Sequence, residues 1–234
     1  MSRDSRLAKF GRLPKLNPKT DVMPDAQRRI WQTLGDIPDD FVLYGGTGLA
    51  LRIGHRESVD FDFFSAEPFE PGGLIDKLGW LGIQTVDRAA PNTLSVTVSE
   101  NVHVSFFGGM AIRTVAEPEL AEANGIVVAS LYDLAGTKAK AVYDRAEWRD
   151  YFDIASLVQT GQMTLMDVMG YARTIFEPGF EFPVAVVLKA LAWFEDGTVP
   201  DLPEEMKRYL RSAVADAYGQ DVPIVEPYSG SIAP

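Results

Sequence analysis

Residues 43–64 read LYGGTGLALRIGHRESVDFDFF, and the fold turns on how this stretch is parsed. The apolar run from Phe41 to Tyr44, stopped by Gly45-Gly46, has the pattern of a short buried strand. Thr47 is suited to cap a helix running to about Ile53 and ended by Gly54. Residues 58–64 read as a second strand. Side chains alternate along a strand, so Asp60 and Asp62 share one face while Phe61 and Phe63 point to the other, toward a core.

This arrangement carries chemistry. Glycines let a backbone approach a ligand closely, and the free N–H groups of a helix start suit a phosphate. Two carboxylates side by side repel each other unless a cation lies between them, and a divalent metal with oxygen ligands fills that role. The alternative is an edge strand with two solvated acids, but the phenylalanines give this strand a central character. The chain contains no cysteine and only two histidines. That excludes a disulfide scaffold, a Cys-ligated zinc and thiol catalysis, and leaves oxygen-held Mg²⁺ or Mn²⁺ as the metal class.

Further along, residues 93–98 and 102–107 alternate as a hairpin around Glu100-Asn101. After Ser130 the texture becomes helical, with helices expected at 131–143, 149–158, 164–175, 183–195 and 203–218. On a helix starting at Leu131, Lys138 falls on the stripe with Leu134, Ala135 and Val142, while Lys140 faces the other way. A cation on that inner stripe needs an anionic partner. Asp150, Asp153, Ile154 and Leu157 share a face of the next helix. A structural ion pair from Lys138 or Arg145 to these aspartates and a role in catalysis are both compatible with this spacing.

Gly45-Gly46-Thr47 followed by Leu49, Leu51, Arg56, Ser58, Asp60 and Asp62 resembles the first motif of the AbiEii/AbiGii-type nucleotidyltransferase toxins. These belong to the DNA polymerase β-like superfamily. Lys138, then Arg149, Asp150 and Asp153, resemble the family's second block. The resemblance spans roughly residues 40–160 in matching order. It implies that Gly45, Gly46, Thr47, Arg56 and Ser58 bind the nucleotide and that Asp60 and Asp62 hold the metal. It also implies that Lys138 contacts nucleotide phosphate and that Asp150 and Asp153 belong to the catalytic set. The superfamily takes a third carboxylate from a later strand. Here the outward positions of the candidate strand are His103, Ser105 and Phe107, with no acid among them. Asp150, Asp153 or His103 would have to substitute, or the site is weakened.

The net charge of −11 divides unevenly. Residues 1–20 hold six basic groups and one acid, and the rest holds 16 basic and 32 acidic residues. An acidic body opposes broad nucleic-acid coating. An RNA acceptor would therefore approach a local patch around Arg52, Arg56 and Lys138, helped by the basic tail. At 46% hydrophobic residues the chain can bury a core. No secretory signal or membrane span is visible, which makes a cytoplasmic location the expectation.

The expected architecture is α+β. A loose basic tail (1–20) precedes a nucleotidyltransferase-like core (21–130), a mixed sheet flanked by helices. A C-terminal helical bundle (131–219) and a short tail (220–234) follow. The expected function is Mg²⁺-dependent (or Mn²⁺-dependent) transfer of a nucleotide from an NTP to a hydroxyl acceptor, a tRNA 3′ end or another macromolecule. The resemblance adds a toxin of a type IV toxin–antitoxin system with a cognate antitoxin. The alternatives are a small-molecule nucleotidyltransferase and a non-catalytic nucleotide-binding or interaction module on the same fold.

Overall fold

A computed structural model describes residues 12–176 and 179–229. These fall into two compact units, residues 12–112 with 117–130 and 229, and residues 113–116 with 131–228.

The first unit is built on a mixed eight-stranded sheet. Its strands are β1 (Lys15–Leu16), β2 (Val42–Leu43), β3 (Asp60–Phe64), β4 (Thr85–Ala90), β5 (Thr93–Val98), β6 (Val102–Phe107), β7 (Glu119–Ala121) and β8 (Val127–Val128). Their order across the sheet is β1-β7-β8-β2-β3-β6-β5-β4. β3 is central, antiparallel to β2 and parallel to β6. Three helices accompany the sheet: α1 (Asp25–Thr33), α2 (Gly45–Ile53) and α3 (Pro71–Lys77).

The alternation in β3 does what its sequence implies. Phe61 and Phe63 are fully buried. Phe61 stacks on Trp31 of α1 at 6.2 Å between ring centroids, and Phe63 stacks on Phe106 of β6 at 5.4 Å. Such aromatic pairs each add about 1 kcal/mol beyond the area they bury. The β5–β6 hairpin forms around Glu100 and Asn101, both in the left-handed region.

Three local expectations change. α2 starts at Gly45, with Tyr44 as its N-cap, so Thr47 lies inside the first turn and is not the cap. Its hydroxyl is drawn instead to Asp60 and Gln27, described below. Residues 12–20 are not loose: β1 pairs in parallel with β7, and Leu13 and Leu16 are buried. Two apolar side chains were enough to seat an otherwise basic segment on the sheet edge. The basic residues Arg3, Arg6 and Lys9 lie outside the described residues. β4 was not expected at all, since the sequence TVDRAA has no apolar alternation. It is an edge strand with five of its six residues exposed.

The second unit is helical: α4 (Leu131–Asp144), α5 (Trp148–Gln159), α6 (Leu165–Phe176), α7 (Val184–Leu191) and α8 (Glu204–Ala217). Residues 221–229 carry no regular structure, yet they are not a free tail. The Thr174 hydroxyl donates to the Val225 carbonyl at 2.8 Å, and the Tyr228 N–H donates to Thr114 at 2.7 Å. Gly170 permits this approach, because a Cβ there would stand 2.9 Å from the Pro223 carbonyl oxygen. No helix among the described residues is long and apolar enough to cross a membrane.

Candidate active site

In the first unit, the Gly45-Gly46 turn lies directly beneath the side chains that precede and form β3. Gly45 has φ +69°, a conformation that disfavours any residue with a Cβ. A Cβ on Gly45 would collide with Asp62 Oδ2. A Cβ on Gly46 would stand 2.8 Å from Ser58 Oγ and 2.9 Å from Arg56 Nη2. Gly45 is therefore required twice, by backbone conformation and by Asp62 packed over it, and Gly46 by the Ser58 and Arg56 side chains packed over it. The backbone ties the same parts together, as the Tyr44 N–H donates to the Asp62 carbonyl at 2.8 Å.

Thr47 anchors the turn from below. It is buried, and its hydroxyl donates to the Asp60 carbonyl and lies 3.0 Å from Ser58 Oγ. Gln27 of α1, itself buried, donates from Nε2 to Thr47 Oγ1 at 3.1 Å. Gln27 carries no motif, and only its place on the inner face of α1 could have pointed to it. The turn, Ser58 and the start of β3 thus form one hydrogen-bonded block. Asp60 and Asp62 emerge on its open face, Asp60 exposed and Asp62 half-buried.

Gly45→Ala places strain and a clash at one point. The expected loss is about 1–3 kcal/mol of stability from the backbone alone. It should be read as a lower melting temperature together with weaker binding of Mg²⁺–NTP, because Asp62 has to move. An unchanged melting temperature would mean the turn relaxes freely.

β6 runs parallel beside β3, with His103 opposite Asp60 and Ser105 opposite Asp62. No acid stands next to the D-x-D pair on that strand. Ser105 Oγ pairs with Ser95 Oγ of β5 at 3.1 Å. The open face therefore continues from two carboxylates into a row of hydroxyls and one imidazole.

Two carboxylates on one open face suit Mg²⁺, which is commonly bound through one or two protein carboxylates, with substrate phosphates and water completing its shell. No group of three or more candidate His, Cys, Asp or Glu ligands occurs among the described residues. The residues present fit a metal that arrives with a triphosphate better than one caged by protein alone.

In the second unit, Lys138 is buried on α4. Its ammonium bonds Asp150 Oδ1 at 2.8 Å and Asp153 Oδ2 at 2.7 Å, both fully buried on α5. Arg145 Nε adds a bond to Asp150 Oδ2 at 2.8 Å. Burial alone would lower the pKa of Lys138, but the two carboxylates outweigh it and hold the pKa above its ordinary value. The ion pair that the helix spacing allowed is thus formed by Lys138 and Arg145 together. Arg149 does not join it; its guanidinium lies over the Trp148 ring at 5.7 Å.

Two of the three cations expected in a basic patch, Arg52 and Lys138, are engaged in ion pairs within their own units. The Arg52 side chain is 6% exposed and bonds Glu119 at 2.8 Å and the Ala129 carbonyl at 2.9 Å, so it clamps α2 to β7 and to the residue after β8. Lys138 is engaged with its aspartates. Arg56 stands over Gly46 at the turn of the first unit. Position on an inner helix face, invisible in a count of charges, removed the other two.

A Gly-Gly turn under a central D-x-D strand of a mixed sheet is the framework of this chain, and its sequence profile makes it a nucleotidyltransferase. It belongs to the AbiEii family, the nucleotidyltransferase toxins of type IV toxin–antitoxin systems, whose sequence profile it matches over residues 29–221. A protein of Aquifex aeolicus (strain VF5), itself uncharacterized, is 32% identical over 168 residues, covering 68% of this chain and 76% of the relative. Among solved structures, an H. pylori protein assigned as a nucleotidyltransferase superposes with a TM-score of 0.50. Its identity is 18%, over 80% of this chain and 89% of that one, and it shares the fold. The nucleotidyltransferase toxin MenT4 of Mycobacterium tuberculosis superposes with a TM-score of 0.49 at 14% identity, over 94% and 91% of the two chains.

Proposed function

We propose that this protein transfers a nucleoside monophosphate from an NTP to a hydroxyl acceptor, with Asp60 and Asp62 holding Mg²⁺ or Mn²⁺. The observation that carries this reading is the packing of Asp62, Ser58 and Arg56 onto the Gly45-Gly46 turn. That packing joins a phosphate-binding backbone to a pair of carboxylates in one rigid block. Gly45, Gly46 and Thr47 present the first N–H groups of α2 to the triphosphate. Arg56 adds positive charge at the same turn. A bound divalent ion supplies charge neutralisation at the triphosphate. Asp60 and Asp62 are fixed by the strand pleat, so they orient the nucleotide without rearranging.

The resemblance assigns Lys138, Asp150 and Asp153 to catalysis as well. Their buried ion pairs hold α4 to α5. The resemblance implies a phosphate contact for Lys138; within its own unit, Asp150 and Asp153 hold its ammonium in place. The proposed acceptor is a tRNA 3′ end or another RNA, reached at the exposed edge of the block and not by broad coating of an acidic body. Family membership supports a cognate antitoxin as partner and a cytoplasmic setting.

The test is transfer of label from each of four α-labelled NTPs, with Mg²⁺, to total RNA, to protein and to small-molecule extracts. Labelled RNA is expected. Label confined to small molecules would replace the acceptor class. No label in any fraction, with no NTP-dependent rise in melting temperature, would favour the non-catalytic alternative.

A further inference from the structure

The open face beside Asp60 holds a hydrogen-bonded relay that the reading above leaves unused. β4 is bulged between Val86 and Arg88, and the bulge brings the Asp87 carboxylate toward β5. Thr97 of β5 donates its hydroxyl proton to Asp87 Oδ2 at 2.7 Å. The same Thr97 oxygen lies 3.1 Å from His103 Nδ1 on β6. A threonine has one hydroxyl proton, and a carboxylate can only accept it. With that proton committed to Asp87, Thr97 can only accept from the imidazole, so Nδ1 carries the hydrogen. The neutral ring is then the Nδ1–H tautomer, with its lone pair on Nε2. Asp87 Oδ2, 3.7 Å from Nδ1, adds attraction for a protonated ring. The His103 side chain is 55% exposed, and its strand position is directly across from Asp60. Neighbouring strands lie about 5 Å apart, so the imidazole and the D-x-D pair share one small area of the open face.

We infer that His103 is the group that receives the acceptor's proton, a role that rests on the reading of this face as the nucleotidyl-transfer site. The acceptor oxygen bonds to the α-phosphorus as the bond from that phosphorus to the pyrophosphate oxygen breaks. The electron pair of the broken bond leaves with pyrophosphate. The hydroxyl proton passes to His103 Nε2. The imidazolium so formed keeps its Nδ1–H bond to Thr97, with the Asp87 carboxylate 3.7 Å from Nδ1. Three features prepare this: the register of β3 with β6, the hairpin register of β6 with β5, and the bulge in β4.

The test uses the full chain with Mg²⁺, the four α-labelled NTPs and total RNA. His103→Ala should lower transfer by about 100-fold or more, the usual worth of a positioned general base. Its NTP-dependent rise in melting temperature should match the wild type. Added imidazole should restore at least about a tenth of the lost rate, a rescue that a purely structural side chain would not show. Thr97→Val, which frees the ring to adopt the other tautomer, should lower transfer without changing NTP binding. The inference is overturned if His103→Ala transfers within about threefold of wild type, if it loses the NTP-dependent shift, or if imidazole restores nothing. Should the wild type itself transfer no label while His103→Ala behaves identically, the nucleotidyl-transfer reading fails and this inference falls with it. Wild-type transfer that Asp60→Ala abolishes and His103→Ala retains overturns the inference alone.

Discussion

Asp60→Ala is expected to reduce label transfer by more than about 100-fold. Even removing a group that merely supports a metal ligand can cost that much. The loss should be catalytic and not structural, because Asp60 is exposed at the start of β3 and its backbone carbonyl, not its side chain, accepts from Thr47. Melting temperature in the absence of ligand should therefore stay close to wild type. Asp62 gives a separate readout. In wild type, Mg²⁺ or Mn²⁺ with NTP should raise the melting temperature, as any ligand selective for the native state does. In Asp62→Asn that rise should disappear. Equal stabilisation of both proteins would remove the D-x-D pair from metal binding.

The largest effect on stability is expected at Lys138. Replacing it with Met leaves Asp150 and Asp153 buried and facing each other across the space the ammonium occupied. Breaking a buried pair from one side costs about 3–5 kcal/mol. Arg145 reduces the cost for Asp150 by its bond to that carboxylate. Urea denaturation of Lys138→Met against wild type reads the difference directly. A loss below about 1 kcal/mol would show that the cluster is solvated or neutral. The pH dependence follows from the raised pKa. Lys138 gains its partners on folding, so its contribution is full below its unfolded value of 10.5 and is lost as pH rises through the higher folded value. Tyr151 and Tyr171, pushed up to about 12 by burial and neighbouring negative groups, act in the same direction between their unfolded value of 10.0 and 12. Wild type should therefore lose melting temperature above about pH 10. The Met variant should lose less over that interval, since it retains only the tyrosine part.

Much of the site was readable because its logic is local. The alternation of Asp60-Phe61-Asp62-Phe63 assigns faces within five residues, and the two glycines mark the turn. The inner position of Lys138 and the shared face of Asp150 and Asp153 follow from helical periodicity alone. What could not be read depends on contacts between distant segments. Arg52 looked like a free cation until Glu119 and Ala129 closed around it. β1 has two residues and β4 has no apolar pattern, so each exists through its partner strand and not through its own sequence. The Asp87–Thr97–His103 relay needs two strand registers and a bulge, none of which has a signature in one strand. Thr47 was misread as a cap because a hydroxyl after Gly-Gly is a strong local signal. The carbonyl of Asp60, thirteen residues later at the start of β3, took that hydroxyl instead.

The pairing of β3 with β6, and of β2 with β8, also governs when this protein can act as it is made. The carboxylate strand ends at Phe64 but has no parallel neighbour until residues 102–107 are synthesised. β2, which leads into the glycine turn, keeps an open edge until Val128 arrives, and the strand at Lys15–Leu16 waits for residues 119–121. Such non-local pairings form late, after the cost of closing long loops has been met. A ribosome-bound chain interrupted between about residues 64 and 101 thus carries both carboxylates of the D-x-D motif on a strand that still lacks its parallel neighbour. In a family of toxins, the D-x-D face is thus assembled only after most of the first unit has been made.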